Sequence, residues 1–476
     1  MNKHDFPKIH FYEQDFVDIY NKTWTWLYSS WIDPKTEETI PDGYFIHPTN
    51  GNFFIDQFES ILSSFFLVYS NRNYDANKNI DYFYSKQEES GAIRWRYDLK
   101  TGQPILDSSN PEGVGMPLFA WAEFNLYHKS ANKRRIKDVM PILQKYMEWI
   151  DATFKQENGL YAAPASASTM FNSPRDNVRY AIDFNAAVAI NASHMSALGD
   201  ILNDKELSFQ YKRMYFSIKT RINSMMWDSE TGFYHDLDKD ENRLPAKTIA
   251  GFWPLLAEIP NADKADSLIA HLNNPNTFGT DHPFPSLSAD NEYFKETGDG
   301  FRGSVFPIMN FMVIKGLEKY QHYELAREYS IRHLYYILEG LMPNDKNQKG
   351  DLFEAYCPLK EGKASCESLP DWPRSHFLIS AGLSTIALMI ENVIGLSISL
   401  PRKTVDWVIP NLEIMGIENL SLKRNLITIL SNKSPRGWEI QMESEKLYYF
   451  TINILGHKKK TLPIPSGKCS MLIDKL

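Results

Sequence analysis

The sequence has few cysteines, no long basic run and no excess of positive charge. Its three cysteines, Cys357, Cys366 and Cys469, are too few for a disulfide framework, and none shows the CxxC spacing of a zinc site. The 51 Lys and Arg residues against 59 Asp and Glu give a net charge of -8, so nothing attracts a phosphate backbone from a distance. We therefore expect no nucleic-acid partner and no zinc.

Membrane signals are lacking too. The N-terminal segment is charged and broken by Pro7, without the continuous apolar core of a signal peptide. The most apolar stretch, Ile379 to Leu400, is interrupted by Glu391 and Asn392, which favours a buried helix over a membrane span. We expect no membrane partner and a cytoplasmic protein, the alternative being a periplasmic or secreted protein whose signal peptide has been removed.

Helical periodicity dominates residues 1–395. Apolar residues at helical spacing predict helices at Trp121 to Tyr127, Val139 to Ile150, Asn185 to Leu198, Leu207 to Met226, Ile308 to Tyr320, Ala326 to Leu341 and His376 to Ile394. Several are apolar around most of their circumference, which indicates concentric layers of helices. About a dozen helices would leave long loops, at 42–52, 90–116, 162–180, 279–303 and 343–373. A site built from such loops at one end of a helical scaffold is implied.

The pattern changes after Gly395. Short stretches such as LSISLP, VDWVIP and NLITIL alternate with turn residues, which is typical of strands. We predict two domains, a helical one at 1–395 and a small β-sandwich at 396–476 that supports the first by packing.

One carboxylate lies among aromatic residues just before the last predicted helix. In the stretch from Asp351 to Pro358, Glu354 is flanked by Phe353 and Tyr356. A desolvated carboxylate of this kind can hold a water molecule and remove its proton, as a general base does in glycoside hydrolysis. The alternative is a Glu that caps a helix or locks a loop.

Further clusters combine carboxylates or arginines with aromatic faces, as sugar pockets do. They are Asn52 to Glu59, Asn172 to Asp176 with Arg179 and Ile182 to Asn185, Thr248 to Pro254, Phe301 to Pro307, and Asp371 to His376.

In this order, the segments resemble the trehalase-like (α/α)6-barrel glycoside hydrolases, the clan of the family 37 trehalases, the family 63 α-glucosidases and the mannosylglycerate hydrolase-type enzymes. The matching segments read NFFIDQF, WAEFNLY, NSPR with AIDFNA, KTIAGFWPLLA, FRGSVFPIMNFMVIKGLEKY and FEAYCPLKEG. The resemblance implies an all-α (α/α)6 barrel, with Glu354 as general base and Asp56 as a sugar-binding carboxylate.

One departure from the clan concerns the general acid. Where the clan has its catalytic Asp in the segment before Asn-Ser-Pro-Arg, this chain has Phe171, which cannot donate a proton. Three nearby carboxyl groups are alternatives: Asp176 on the same loop, Asp183 at a helix start where it could equally be a cap, and Asp299 before Arg302. Departure of the leaving group without an acid, and loss of activity, also stay open.

We interpret the protein as an exo-acting, inverting glycoside hydrolase for an oligosaccharide or small glycoside, with an α linkage. The catalytic candidates are Glu354, Asp176 and Asp183, and the substrate-binding candidates are Phe54, Asp56, Glu123, Arg175, Trp253, Asp299, Arg302 and Trp372. A barrel that binds carbohydrate without cleaving it and a sugar lyase or epimerase are the alternatives. No cofactor or catalytic metal is implied, although the acidic loops leave a structural calcium ion open. The sequence does not indicate an oligomeric state.

Overall fold

The computed structural model describes residues 6–31, 54–168, 170–342, 350–409, 413–422, 425–435, 437–454 and 458–473. The predicted loop 42–52, the first two residues of the Asn52 to Glu59 cluster, and the start of the loop 343–373 lie outside these ranges.

Within the described residues, helices alternate between an outer and an inner layer along the chain. The outer helices are Gln14–Ser29, Lys78–Ser85, Lys133–Phe154, Lys205–Arg221, Ala262–Asn273 and Tyr323–Leu341. The fourth of them continues as a π-helix at Ile222–Met226. The inner helices are Gln57–Leu67, Phe119–Ser130, Ile182–Leu202, Ile249–Phe252 continued by Trp253–Leu256, Pro307–Lys319, and Leu378–Gly382 continued by Leu383–Val393.

The inner helices form a closed ring. Each packs against the next one in chain order, and the last, which begins at Leu378, packs against the first, which begins at Gln57. Nearly every side chain of Ile182–Leu202 is buried, because ring neighbours and an outer helix cover it on all sides. The prediction of an all-α (α/α)6 barrel is confirmed, and helices occupy all seven predicted helical segments.

The connections from an inner helix to the next outer helix are short because their residues suit a tight turn. Ala131 ends one inner helix in the left-handed conformation, with φ of 51°, and Asn132 then caps the next helix by accepting a hydrogen bond from the Arg135 amide. Asn203 and Asp204 repeat this arrangement, with φ of 62° at Asn203 and a cap bond from the Leu207 amide.

The connections from an outer to an inner helix are long and gather at the other end of the ring, where the inner helices begin. We call this end of the ring the loop end. The opposite end, where the inner helices end, we call the sheet end. Because the loop end collects the segments 86–118, 155–181, 274–306 and 350–377, their side chains can converge over the middle of the ring.

A β-sandwich follows the barrel. One sheet contains, in order, Lys8–His10, Met415–Leu422, Asn425–Ser434, Gly437–Ser444 and Gly467–Ile473, and the other contains Lys458–Ile464, Tyr448–Ile454, Thr404–Ile409 and Leu396–Ser399. The first strand comes from the N-terminal segment and pairs antiparallel with Met415–Leu422, matching Ile9 to Ile417. The predicted domain limits of 1–395 and 396–476 do not take into account that an N-terminal strand belongs to the C-terminal sandwich. These limits stay a prediction.

Hydrogen bonds to backbone carbonyls join the sandwich to the sheet end of the barrel. The Leu400 amide donates to the His128 carbonyl at 2.7 Å, and the buried Trp407 donates its Nε1 proton to the Ile394 carbonyl at 2.7 Å. In the part of the chain that the structure describes, none of the helices combines the length and the apolar character needed to cross a bilayer.

Candidate active site

A cavity of about 620 Å³ opens at the loop end, a volume typical of small-molecule sites. We call it the loop-end cavity. Its lining combines four carboxylates, two arginines, one serine and a set of apolar side chains: Asp56, Glu59, Glu354, Asp371, Arg96, Arg374, Ser375, Phe54, Phe58, Phe171, Phe301, Phe306, Ile308, Met309, Leu369 and Trp372.

Asp56 is held at the cavity by a two-stranded ribbon. Phe54–Asp56 pairs antiparallel with Arg96–Asp98, which sets Asp56 opposite Arg96. The Arg96 Nε donates to Asp56 Oδ2 at 2.8 Å, while Asp56 Oδ1 accepts from the Glu59 amide and caps the first inner helix. The Arg96 guanidinium also lies over the Phe54 ring, 5.5 Å from its centre. Asp56 and Phe54 thus both face the cavity, as candidates for sugar binding.

Glu354 is fixed by an arginine that also binds Glu59. Nε and Nη2 of Arg374 each donate to the Glu354 carboxylate at 3.0 Å, and Nη2 donates to Glu59 Oε1 at 2.8 Å. The Glu354 amide donates back to the Arg374 carbonyl at 2.9 Å. Backbone bonds between Val305 and Tyr356 in both directions fix the loop from behind. Glu354 is therefore oriented before any ligand binds.

Burial decides the charge balance of this trio. For Glu59, desolvation raises the pKa, Arg374 opposes the shift, and Asp56 and Glu354 add to it. For Arg374, burial disfavours the charge, but Glu59 and Glu354 outweigh it and raise the pKa of the guanidinium. The charged Arg374 therefore lies between two carboxylates and partly neutralises them.

An aromatic wall faces the carboxylates. Phe301 and Phe306 stack with ring centres 4.0 Å apart, and Phe171 meets Phe301 and Trp372 edge-on at 5.5 and 6.0 Å. Phe171 is half exposed, which places its ring in the cavity where the family resemblance calls for an acid. Such a wall offers flat apolar faces on which a sugar ring can stack.

Asp299 and Arg302 hold this wall together and do not line the cavity. Asn172 accepts from the Phe301 amide at 2.7 Å and donates its Nδ2 proton to the Asp299 carbonyl at 2.8 Å, while Arg302 Nε donates to the Asn172 carbonyl at 3.2 Å. Gly300, with φ of 61°, lies against the Asn172 side chain, where a β-carbon would clash. The two predicted binding residues therefore join two loops.

Arg175 and Asp183 lie inside the protein, away from the cavity. The Arg175 guanidinium binds Asp183 at 2.9 and 3.0 Å and Asp236 at 2.7 Å through each of two nitrogens. Asp236 also accepts from the Ile182 amide, so the three charges fix the start of an inner helix. Asp183 is 1% exposed, and its oxygens are engaged by Arg175 and the Phe184 amide. This geometry leaves Asp183 no access to a ligand.

Three other predicted residues also lie outside the cavity lining. Glu123 is fully buried and accepts from Arg135 at 2.8 and 2.7 Å and from the Tyr84 hydroxyl at 3.0 Å, which ties helices together. Trp253 is buried behind Phe58, with ring centres 6.0 Å apart. Asp176 is exposed on its loop.

The cavity also contains residues to which the sequence analysis gave no role. The role of Arg96 could not be predicted, because it depends on pairing with Asp56, forty positions away. The only local signal is the alternation of Arg94, Trp95 and Arg96. Asp371 and Arg374 lie in a cluster that the sequence did single out, without assigning them chemistry. Among the described residues, no three His, Cys, Asp or Glu side chains are grouped so that they could hold a metal ion.

A six-hairpin helical barrel with a carboxylate-lined cavity at its loop end and a β-sandwich at its sheet end defines a trehalase-like glycoside hydrolase. Comparison with known proteins makes the family explicit. Residues 69–365 match the mannosylglycerate hydrolase MGH1-like glycoside hydrolase domain, and residues 395–476 match the trehalase C-terminal domain. The chain belongs to the MGH1-like glycoside hydrolase family.

Individual relatives agree with this assignment. An uncharacterized protein of Borreliella burgdorferi is 54% identical over 477 residues and covers 100% of both chains. The mannosylglycerate hydrolase MGH2 of Selaginella moellendorffii is 33% identical over 135 residues, 28% of this chain and 25% of that protein. The structure of a GH63 mannosylglycerate hydrolase from Thermus thermophilus in complex with glucose has a TM-score of 0.61 at 18% identity, covering 77% and 99% of the two chains, a likeness of fold.

Proposed function

We propose that the chain hydrolyses a small glycoside in the loop-end cavity with inversion at the anomeric carbon. The observation that carries this proposal is the oriented Glu354, held by Arg374 at two 3.0 Å contacts and facing an aromatic wall. Its carboxylate would take a proton from a water molecule as that water attacks the anomeric carbon. The cavity volume suits one or two sugar rings, which favours removal of a terminal sugar.

We propose Asp371 as the general acid. It is an exposed residue of the cavity lining next to Trp372, whose ring centre lies 6.0 Å from that of Phe171, the residue at the position of the clan's acid. Asp176, Asp183 and Asp299 do not line the cavity. Asp371 would donate its proton to the glycosidic oxygen as the bond to carbon breaks, giving an alcohol and a sugar hemiacetal of inverted configuration.

Glu59 is less suited to this role because it is too close to Glu354. Both carboxylates bind Nη2 of Arg374, at 2.8 and 3.0 Å, so those two oxygens lie less than the sum of these distances apart. Inverting enzymes need roughly 6.5 to 9.5 Å between the carboxyl groups to admit water. Glu59 instead serves to hold Arg374.

The direct experiment compares wild type with Glu354→Gln and with Glu367→Gln, a matched change of an exposed residue outside the cavity lining. Trehalose and mannosylglycerate are the first substrates, and proton NMR identifies the anomer that appears first. We expect turnover to fall about 10² to 10⁴-fold in Glu354→Gln and to stay within twofold in Glu367→Gln. Full turnover by Glu354→Gln would overturn the assignment of the base.

A second experiment tests the acid through the leaving group. Loss of a general acid slows substrates with poor leaving groups most, because a good leaving group departs without protonation. In Asp371→Asn we expect an alkyl glycoside to slow about 10² to 10³-fold and a 4-nitrophenyl glycoside less than tenfold. Asp176→Asn is the matched control, and an effect confined to that variant would return the role to Asp176.

We further propose that the substrate carries no negative charge at the cavity. Both arginines of the described lining are already paired, Arg96 with Asp56 and Arg374 with Glu59 and Glu354. A carboxylate such as that of mannosylglycerate would therefore meet an acidic lining. We expect kcat/KM for trehalose to exceed that for mannosylglycerate at least tenfold, and the reverse order would contradict this point.

Phe171 supports a second candidate function, the binding of carbohydrate without hydrolysis. A phenyl ring cannot protonate a leaving group, and it replaces the acid of the clan at the cavity wall. This candidate predicts that calorimetry detects sugar binding, that no monosaccharide is released, and that Asp371→Asn leaves affinity unchanged. Release of sugar by wild type would rule it out.

A further inference from the structure

A second cavity, of about 830 Å³, lies at the sheet end between the barrel and the sandwich. We call it the sheet-end cavity. Residues of the inner helices and of the outer helix Tyr323–Leu341 line it on one side. The strands Leu396–Ser399, Thr404–Ile409, Tyr448–Ile454 and Lys458–Ile464 line it on the other. None of its lining residues belongs to the loop-end cavity, so it is a separate space that glycoside hydrolysis does not use.

Its lining is basic although the chain as a whole is acidic. Six cationic side chains line it against three acidic ones: Lys129, Lys315, Lys319, Arg327, Arg402 and Lys459 against Glu318, Glu391 and Asp406. In a chain of net charge -8 this is a local reversal of sign. Positive charge concentrated in a concave space attracts small anions.

At the bottom of the cavity, two buried lysines share one carboxylate. Glu391 accepts from Lys315 at 2.7 Å and is 3.4 Å from Lys129, and it also accepts from the Tyr69 hydroxyl. Lys315 has a second carboxylate, Glu318, at 2.9 Å. For Lys129, no carboxylate other than Glu391 lies in ion-pair range among the described residues. Lys129 is therefore the less compensated charge, and a buried charge gains from a counterion.

Two histidines of the cavity lining have lowered pKa values, mainly because they are buried and to a smaller extent because cations lie near them. Burial first, and then the fields of Arg402 and Lys129, lower the pKa of His128 to about 4. Burial first, and then Lys319, lower the pKa of His194 to about 3. Both imidazoles are thus neutral near pH 7. In addition, Nδ2 of Asn125 at the cavity lining has no exposed surface and no acceptor in the described part of the chain.

The negative ends of the inner helices explain only some of these cations. Lysines in the last helical turn compensate the helix dipole, and Lys129 and Lys319 are so placed. This effect fades beyond the last turn. Arg327, from an outer helix, also meets a helix end, because its Nε donates to the Val393 carbonyl at 3.1 Å. Arg402 and Lys459 come from the sandwich, so their convergence on the same space needs another cause.

We propose that the sheet-end cavity binds a small phosphate-bearing ligand, either inorganic phosphate or the phosphate monoester of a sugar. Lys129, Lys319 and Arg402 would contact the phosphate oxygens, as charge-assisted donors do. The rings of Trp121, Phe124 and Tyr323, which also line the cavity, offer stacking faces for a sugar. The site lies at the opposite end of the ring from the loop-end cavity.

The test is isothermal titration calorimetry at 0.15 M salt, with inorganic phosphate, glucose 6-phosphate and glucose as probes. We expect wild type to bind at least one phosphate-bearing probe with a Kd below about 1 mM, and glucose at this site not at all. Tighter binding of glucose 6-phosphate than of phosphate identifies a monoester site, and equal or weaker binding identifies a free-anion site. If neither phosphate nor glucose 6-phosphate binds at 5 mM, the proposal is overturned.

Variants locate the binding. We expect the double variant Lys319→Gln/Arg402→Gln to raise Kd at least tenfold, and Lys133→Gln/Arg134→Gln, the same change on exposed residues elsewhere, to leave it unchanged. Equal affinity in both double variants overturns the proposal. Glu354→Gln should bind the probes as wild type does, which separates this site from the proposed active site. If the first double variant unfolds, Lys319→Gln alone should still raise Kd about threefold or more.

Discussion

The two ends of the barrel carry opposite charge. At the loop end, four carboxylates face two arginines, whereas at the sheet end six cations face three carboxylates. All inner helices run the same way, so their positive N-terminal ends point to the loop end and their negative C-terminal ends to the sheet end. The direction of the helices therefore favours acidic side chains at the loop end and basic side chains at the sheet end. Side chains from loops and strands add further charge of the same sign at each end.

The largest expected effect comes from Arg374, which neutralises the acidic end. Arg374→Met leaves Glu59 and Glu354 facing each other without a cation, and we expect a loss of about 3 to 5 kcal/mol in the free energy of unfolding together with loss of turnover. Urea unfolding measures the first quantity. Arg134→Met is the control, because that side chain is 91% exposed and lies 3.7 Å from Asp138, so its loss should cost less than about 1 kcal/mol.

The next effect tests the basic end through pH. Burial opposes ionisation of Glu391, but Lys315 and Lys129 outweigh it and lower its pKa from 4.5 to about 2. A folded-state pKa below the unfolded one stabilises the protein above the unfolded value, and this stability is lost as pH falls from about 5 to 2. We expect Glu391→Gln to cost on the order of 3 kcal/mol at pH 7 and little near pH 2. Glu157→Gln, an exposed change, should show no such pH dependence.

A smaller effect separates ligand contact from packing within the aromatic residues. Trp372 lines the loop-end cavity, whereas Trp253 lies behind Phe58. Trp372→Ala should raise KM about tenfold with a small change in stability, because one stacking face is lost. Trp253→Phe should lower the melting temperature and leave KM within twofold. The opposite pattern would assign sugar contact to Trp253.

The smallest effect concerns the rim of the basic end. Lys319 is a third exposed and lies 3.5 Å from Glu258, an ion pair that contributes little to stability. We expect Lys319→Gln to change the free energy of unfolding by less than about 0.5 kcal/mol. A larger loss would mean that this cation serves the fold and would weaken the case for a ligand.

The barrel could be predicted because its signals are local. Helices apolar on all sides, such as Ile182–Leu202, require two flanking layers, and alternating strands follow Gly395. The strand Lys8–His10 could not be predicted, because three residues carry no periodicity and the pairing depends on Met415–Leu422 at the far end of the chain.

The candidate site was predictable where chemistry and position coincide. Asp56 and Glu354 stand among aromatic residues in the sequence, and both reach the cavity. Arg175 and Asp183 are also charged residues close to aromatic residues in the sequence. They do not reach the cavity, because they form a buried ion cluster with Asp236, 61 positions beyond Arg175. Periodicity and spacing do not reveal which charged residues find partners inside, since that depends on long-range contacts.

The pairing of the N-terminal strand Lys8–His10 with the C-terminal sandwich constrains how the chain folds during synthesis. Its partner Met415–Leu422 is translated about 400 residues later, roughly 20 to 80 s at typical elongation rates. Throughout that interval the strand edge is unpaired, and the sandwich cannot close before nearly the whole barrel has left the ribosome. The two domains should therefore reach their final state together, and a nascent chain stalled before residue 415 should remain sensitive to protease at its N-terminal strand.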